Sequence, residues 1–231
     1  MDIHDGHRKR MKSRVASGGL DGLEDYQVLE VLLFYALPRT DTNPIAHALI
    51  DRFRSLSGVM DARESELRKV PGVGENAALL LKMIPQLGRR YLVSRTGTEE
   101  ILSTPEAAGK YILPRFMGEQ EEVVYLVCLD AKCRVLSCGE VARGTVNSAN
   151  VSIRKIVETA LSSNASAVIL AHNHTSGIAV PSAEDETTTR RIRQALEAVE
   201  VQLIDHIVVA DDDFVSMSSN GFFTKGKVEN V

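Results

Sequence analysis

Hydrophobic spacing changes character along this chain. In the first hundred residues the apolar positions recur at helical intervals. Asp25 to Leu37 carries a broad apolar face, with Asp25 as a suitable N-cap and Pro38 as the stop. Asn43-Pro44 opens a second helix with Ile45, Leu49 and Phe53 in register, and Ser65 is placed to cap a short third. Val70-Pro71-Gly72-Val73-Gly74 then predicts a tight turn that delivers the chain into the N-terminus of an amphipathic helix beginning near Glu75. From residue 104 the pattern alternates between strand and helix. Thr104-Pro105-Glu106 is a helix start. Val123–Leu129 and Arg134–Glu140 read as a hairpin turning at Asp130-Ala131-Lys132. Ile153, Ile156, Val157, Ala160 and Leu161 mark one helix, and Ile192, Ala195, Leu196 and Val199 another. The wholly apolar run Ala167–Ala171 predicts a central strand covered on both faces, and His206–Ala210 and Phe214–Met217 close the sheet.

That order, β-β-α-β-α-β-β, predicts an α/β fold: a mixed β-sheet sandwiched by helices, preceded by a small all-α domain. Ser94–Glu99 has linker composition, which sets the expected domains at residues 1–98 and 103–225. The net charge of −4 is mild, but it is unevenly shared. Residues 1–98 hold 15 Lys/Arg against 12 Asp/Glu, and residues 99–231 hold 12 against 19, so the two parts are expected to meet different partners. No apolar run approaches the ~18 residues of a membrane span, and the polar, acidic start is unlike a secretory signal. The odd trio Cys128, Cys133 and Cys138 suits reduced thiols of the hairpin. A cytoplasmic protein without membrane contact is the expectation.

The chemistry concentrates in His172-Asn173-His174, at the end of the central strand. Residues i and i+2 of an extended chain project to one side, so the two imidazoles can converge. Asp185 lies in the first turn of the following helix, which returns beside the strand end. Two imidazole nitrogens and one carboxylate oxygen are three ligands, the number a catalytic zinc takes while keeping a fourth position open. The same residues have plainer roles open to them. Ser182-x-x-Asp185 is also a helix capping box, and the two functions are compatible. His206, beside Asp205, is either a support for the metal ligands or purely structural. The absence of an H-x-E…P-C-x-x-C pattern sets a deaminase aside, and too few firmly placed carboxylates disfavour a magnesium nuclease. In the first domain, Gly72 and Gly74 with Lys69 and Lys82 make a candidate phosphate-gripping turn, to which the early basic cluster Arg8-Lys9-Arg10-Lys12-Arg14 adds charge. Packing between helices is the competing use of that turn.

The spacing H-x-H-x7-S-x2-D resembles the JAMM motif of the MPN-domain metalloproteases, a fold similar to that of the cytidine deaminases. Together with Glu140-Val141-Ala142-Arg143-Gly144-Thr145, Thr175-Ser176-Gly177 and Asp205-His206-Ile207-Val208, it resembles the bacterial RadC family over nearly the whole chain. In that family a helix-hairpin-helix region precedes the catalytic-type domain, and Val70–Gly74 matches the hairpin. The resemblance implies one Zn2+ per chain on His172, His174 and Asp185, with Glu140 as acid/base and Ser182 supporting the water or the oxyanion. Glu158 is a competitor for Glu140, placed near the solvent side of its helix. The implied reaction is hydrolysis of a peptide or isopeptide amide in a protein substrate, with DNA contact through the N-terminal region. The alternative is a non-enzymatic, DNA-repair-associated DNA-binding factor whose metal is structural or idle. Thr175 stands where the family usually has Pro, which removes no ligand.

Overall fold

The computed structural model describes residues 3–97, 100–144 and 152–222. Its helices are α1 (Ile3–Gly18), α2 (Asp25–Ala36), α3 (Asn43–Phe53), α4 (Leu56–Asp61), α5 (Glu64–Leu67), α6 (Glu75–Arg95), α7 (Pro105–Ile112), α8 (Ile153–Ser162) and α9 (Ala183–Glu197). The strands are β1 (Val123–Leu129), β2 (Val135–Arg143), β3 (Ala167–Asn173), β4 (Gln202–Ala210) and β5 (Asp213–Ser216). The chain divides into two compact units, Met1–Gly88 and Arg89–Val231.

The first unit is helical. Leu29 and Leu33 of α2, Leu49 of α3, Val59 of α4, Leu67 of α5 and Ala77, Ala78 and Leu81 of α6 form one fully buried core. Local rules set the ends with two differences from the sequence reading. Glu24, not Asp25, is the N-cap of α2, while the Asp25 carboxylate accepts from Leu56 N at 3.0 Å and so caps α4. Ser65 lies inside α5, and Ser55 is the capping serine, accepting from Gly58 N. The early basic cluster lies in the helix α1, which docks on α2 through Met11, Val31 and Phe34. Its Arg8 guanidinium donates to the carbonyls of Leu37, Pro38 and Thr40, in the turn that follows α2.

The second unit is a five-stranded sheet in the order β2-β1-β3-β4-β5. Strands β3 and β4 run parallel, joined through α9, and the other pairs are antiparallel. The sheet is therefore mixed, as its sequence order predicts. Alternation divides the side chains between two layers. Val123, Val127, Leu129, Ile169, Ala171, Ile207 and Val209 pack with α7 and the 3-10 turn Leu113–Phe116. Val124, Leu126, Cys128, Val168 and Leu170 pack with Ile156 and Ala160 of α8 and Ile192 and Leu196 of α9. Being covered on both sides explains why β3 is buried at every position and reads as one apolar run. An extra residue in β2, opposite the Val124/Tyr125 step, shifts the register: Val124 faces Ala142 but Tyr125 faces Glu140.

Candidate metal centre

β3 ends at the metal-type motif. Val168, Leu170 and His172 alternate onto the α8/α9 face, and His174 follows just beyond the strand, anchored by its N–H to Val209 O at 2.7 Å. The loop that returns to α9 turns through Gly177, whose φ of +77° suits glycine. Ser182 then starts α9: its hydroxyl accepts from Asp185 N and donates to Asp185 Oδ2 at 2.6 Å, and its N–H reaches the same oxygen at 2.7 Å. The capping box and the ligand role thus coexist. Oδ2 serves the cap, and Oδ1 faces His172 Nε2 at 3.1 Å. In this conformation the Ser182 proton is committed to Asp185, so Ser182 acts on the site by orienting that carboxylate.

His172, His174 and Asp185 offer ligand atoms all within 4.8 Å of one another. The two Nε2 atoms are 2.9 Å apart, and His174 Nε2 lies 3.2 Å from Asp185 Oδ2. Ligands about 2.0–2.1 Å from a tetrahedral zinc sit ~3.3 Å from one another, so the spacing fits such an ion with little adjustment. His172 is buried, while His174 and Asp185 keep side-chain exposures of 16% and 14%, which leaves one side open to solvent.

The hydrogen-bond directions give a stronger test of fit. Asp185 O can only accept, so Thr189 Oγ1, 2.6 Å away, gives it its single proton. Thr189 must then accept from His206 Nδ1, also at 2.6 Å. His206 Nε2 is left as an acceptor and takes the proton of His172 Nδ1 at 2.8 Å. His172 Nε2 therefore carries a bare lone pair. By the same logic His174 Nδ1 donates to Ile178 O at 3.1 Å, and its Nε2 is bare as well. Two lone pairs and a carboxylate converge with no donor between them, a donor set that a divalent cation satisfies. Burial, reinforced by the neighbouring His172, pushes the His206 pKa well below the ordinary imidazole range, in keeping with its neutral role. For Asp185 burial opposes ionisation, but its contact with His172, once that imidazole is protonated, and the hydrogen bonds from Ser182 outweigh it and hold the carboxyl below its usual pKa.

The sequence reading leaves His206 open between a support for the ligands and a structural role, and it misses Thr189. Their one visible signal is a polar pair on faces that should be apolar, since both are buried.

The structure does not bring Glu140 to this cluster. The bulge leaves it opposite Tyr125, on the sheet face away from His172, where Arg143 binds both its oxygens at 3.1 and 2.7 Å. Arg143 also pairs with Glu119, itself bound by Arg89. That Arg143 contact keeps the Glu140 pKa lowered, the opposite of what a proton carrier near neutral pH needs. Glu158 points outward to Arg154. Strand register singles out a different acid. Val124 lies opposite His172, so the same alternation, extended one step beyond the start of β1, predicts the half-buried Glu122 on the metal face, beside the position of His174. Asn173 secures this segment: its Oδ1 accepts from Val123 N at 2.7 Å and its Nδ2 donates to Glu121 O at 3.0 Å.

In the first unit, Gly72 adopts φ +88°, and a Cβ there would come within 2.6 Å of Ile45 Cδ1, so this glycine serves packing. Lys69 pairs with Glu66, and Lys82 donates to Met60 O at 2.8 Å, where burial lowers its pKa. Gly74 is open, with no atom within 4 Å of an added Cβ. Cys128 is buried, Cys133 and Cys138 are half-buried, and all three are free thiols. Among the described residues no helix is long and apolar enough to cross a membrane.

Comparison with known proteins agrees with this geometry. Residues 102–222 match the RadC-like JAB domain, covering the sheet, α8, α9 and the whole metal-type cluster. A UPF0758 protein of Paraburkholderia xenovorans is 35% identical over 91% of this chain and 83% of its own. Others from Methylibium petroleiphilum and Ruegeria pomeroyi are each 36% identical, over 92% and 94% of this chain respectively and 96% of their own. With the domain matched over its core and relatives aligned nearly end to end, the chain belongs to the RadC-like JAB domain family.

Proposed function

We propose that this protein is a zinc-dependent hydrolase of the JAMM type that cleaves a peptide or isopeptide amide. The observation that carries the reading is the convergence of two bare imidazole nitrogens and an ionised carboxylate at a solvent-accessible strand end. Two imidazoles and one carboxylate suit Zn2+ among the common divalent ions. Bound there, the ion would supply Lewis acidity, lowering the pKa of water from 15.7 to roughly 7 and polarising an amide carbonyl. The chain's own residues do the rest. Thr189 and His206 hold His172 in the ligating tautomer, Ile178 O does so for His174, and Ser182 fixes Asp185. Glu122, on the face of the cluster, is the proton carrier: it takes a proton from the attacking water and returns it to the leaving amine.

The test is elemental analysis joined to peptide hydrolysis. Wild type should hold about one zinc per chain, the stoichiometry of a three-ligand site, and the His172→Ala/His174→Ala protein should hold none. Glu122→Gln should retain zinc and lose hydrolysis, whereas Glu140→Gln should keep most of it. Full zinc in the double-histidine protein would overturn the site, and inactivity of Glu140→Gln alone would return the proton-carrier role to Glu140.

A DNA contact through the first unit is a separate reading, carried by the open Gly74 immediately before α6. Gly74→Val should weaken duplex binding and its salt dependence without unfolding the unit; unchanged affinity would leave the turn a packing element.

A further inference from the structure

The loop between the two ligating elements is more than a connector. Ile178 and Val180 are 62% and 61% exposed, while Ala179 between them is 8% exposed. Val180 precedes Pro181, which confines it to β or polyproline backbone, and Ser182 is extended at φ −85°, ψ 165°. The alternating exposure and these restraints describe a short extended segment. Both of its ends are tied to the metal-type cluster. Ile178 O accepts from His174 Nδ1, and Ser182 caps the turn holding Asp185. Among the described residues, no hydrogen bond engages the N–H of Ile178 or the N–H and C=O of Ala179 and Val180. Two apolar side chains thus face solvent beside an unpaired stretch of extended backbone, at the mouth of the site.

A segment of this kind recognises another extended chain by strand addition, in which main-chain hydrogen bonds give affinity and alternate side chains give selection. We infer that residues 178–180 form a docking edge for an unfolded peptide with apolar residues at alternate positions, which pairs with this edge and lays its amide beside His172, His174 and Asp185. This deepens the hydrolase reading and rests on it for the fate of the amide. It commits the substrate class to an extended polypeptide segment, as found in a flexible tail or an unfolded protein, in preference to a folded surface. Pro181 has no N–H and ends the pairing edge, so recognition is confined to two or three residues of the partner.

The test uses the full-length, zinc-loaded Glu122→Gln protein and a fluorescein-labelled octapeptide with Leu or Val at alternate positions. A second octapeptide carries the same side chains, with the pairing backbone nitrogens methylated. Fluorescence anisotropy should show about tenfold weaker binding of the methylated peptide, the order expected for losing two backbone hydrogen bonds. Adding Ile178→Asp/Val180→Asp should weaken the parent peptide by a similar factor, with zinc content and melting temperature unchanged. Equal affinity for the two peptides, or no effect of the aspartates, would overturn the inference. The hydrolase reading is scored separately, from cleavage of the parent peptide by wild type. Methylation-sensitive binding without cleavage upholds the docking edge and removes the enzyme, while cleavage with KM unchanged in the aspartate variant does the reverse.

Discussion

Thr189 tests the proton chain behind the metal-type centre. Its hydroxyl is fully buried and links Asp185 O to His206 Nδ1, each at 2.6 Å. Thr189→Val keeps the shape of the side chain and removes the hydroxyl. His206 Nδ1–H then faces no acceptor, and a buried unsatisfied donor costs about 1–3 kcal/mol. His206 can escape that cost by moving its proton to Nε2, where it points at His172 Nδ1 across 2.8 Å. His172 must then accept at Nδ1 and carry its own proton on Nε2, aimed into the site in place of the ligating lone pair. Zinc binding has to reverse both shifts, so the affinity should fall about 10–100-fold, the usual effect of losing a partner that orients a ligand. Thr189→Ser retains the hydroxyl and should bind zinc as wild type does. Competition against a chromophoric chelator measures the affinities, and long-range nitrogen–proton correlation spectra of the imidazoles report the tautomers. Zinc affinity of Thr189→Val within about twofold of wild type, with His172 still protonated on Nδ1, would refute the chain as drawn.

Three further expectations concern packing and protonation. A Cβ on Gly109 of α7 would sit 2.2 Å from the Phe214 ring, so Gly109→Ala should cost roughly 1–3 kcal/mol in urea unfolding, and Phe214→Leu should restore part of the loss; additive effects would argue against a shared clash. Gly72→Ala combines φ +88° with a contact on Ile45 and should melt the first unit several degrees lower, as seen by circular dichroism, whereas Gly74→Ala should not. Burial pushes the Cys138 thiol up to about 11, so at pH 8 iodoacetamide should label half-exposed Cys133 well before it, as peptide mass mapping would show. Because burial raises the folded pKa above the ordinary thiol range, that thiol's contribution to stability is complete below that range and declines as the pH rises towards 11.

The pattern of apolar positions alone determined the strand and helix order of the second unit, because local periodicity follows directly from which faces are buried. The motif residues also brought a candidate ligand set into view: His172 and His174 share a face through the strand period of two, and Asp185 sits at a helix start with its own capping signature. Tertiary structure decided what depends on pairing between distant segments. Glu122 immediately precedes β1 and Glu140 lies near the end of β2, and nothing local distinguishes their roles. A single extra residue in β2 turns Glu140 to the far face, while the β1–β3 register, extended one step upstream, predicts Glu122 on the near one. His206 and Thr189 come from β4 and α9, and only their packing over β3 makes them the partners that set the His172 tautomer. The capping of α4 by Asp25, 31 residues earlier in the chain, is invisible for the same reason. Periodicity records how a segment meets the core; it holds no record of which other segment it meets there.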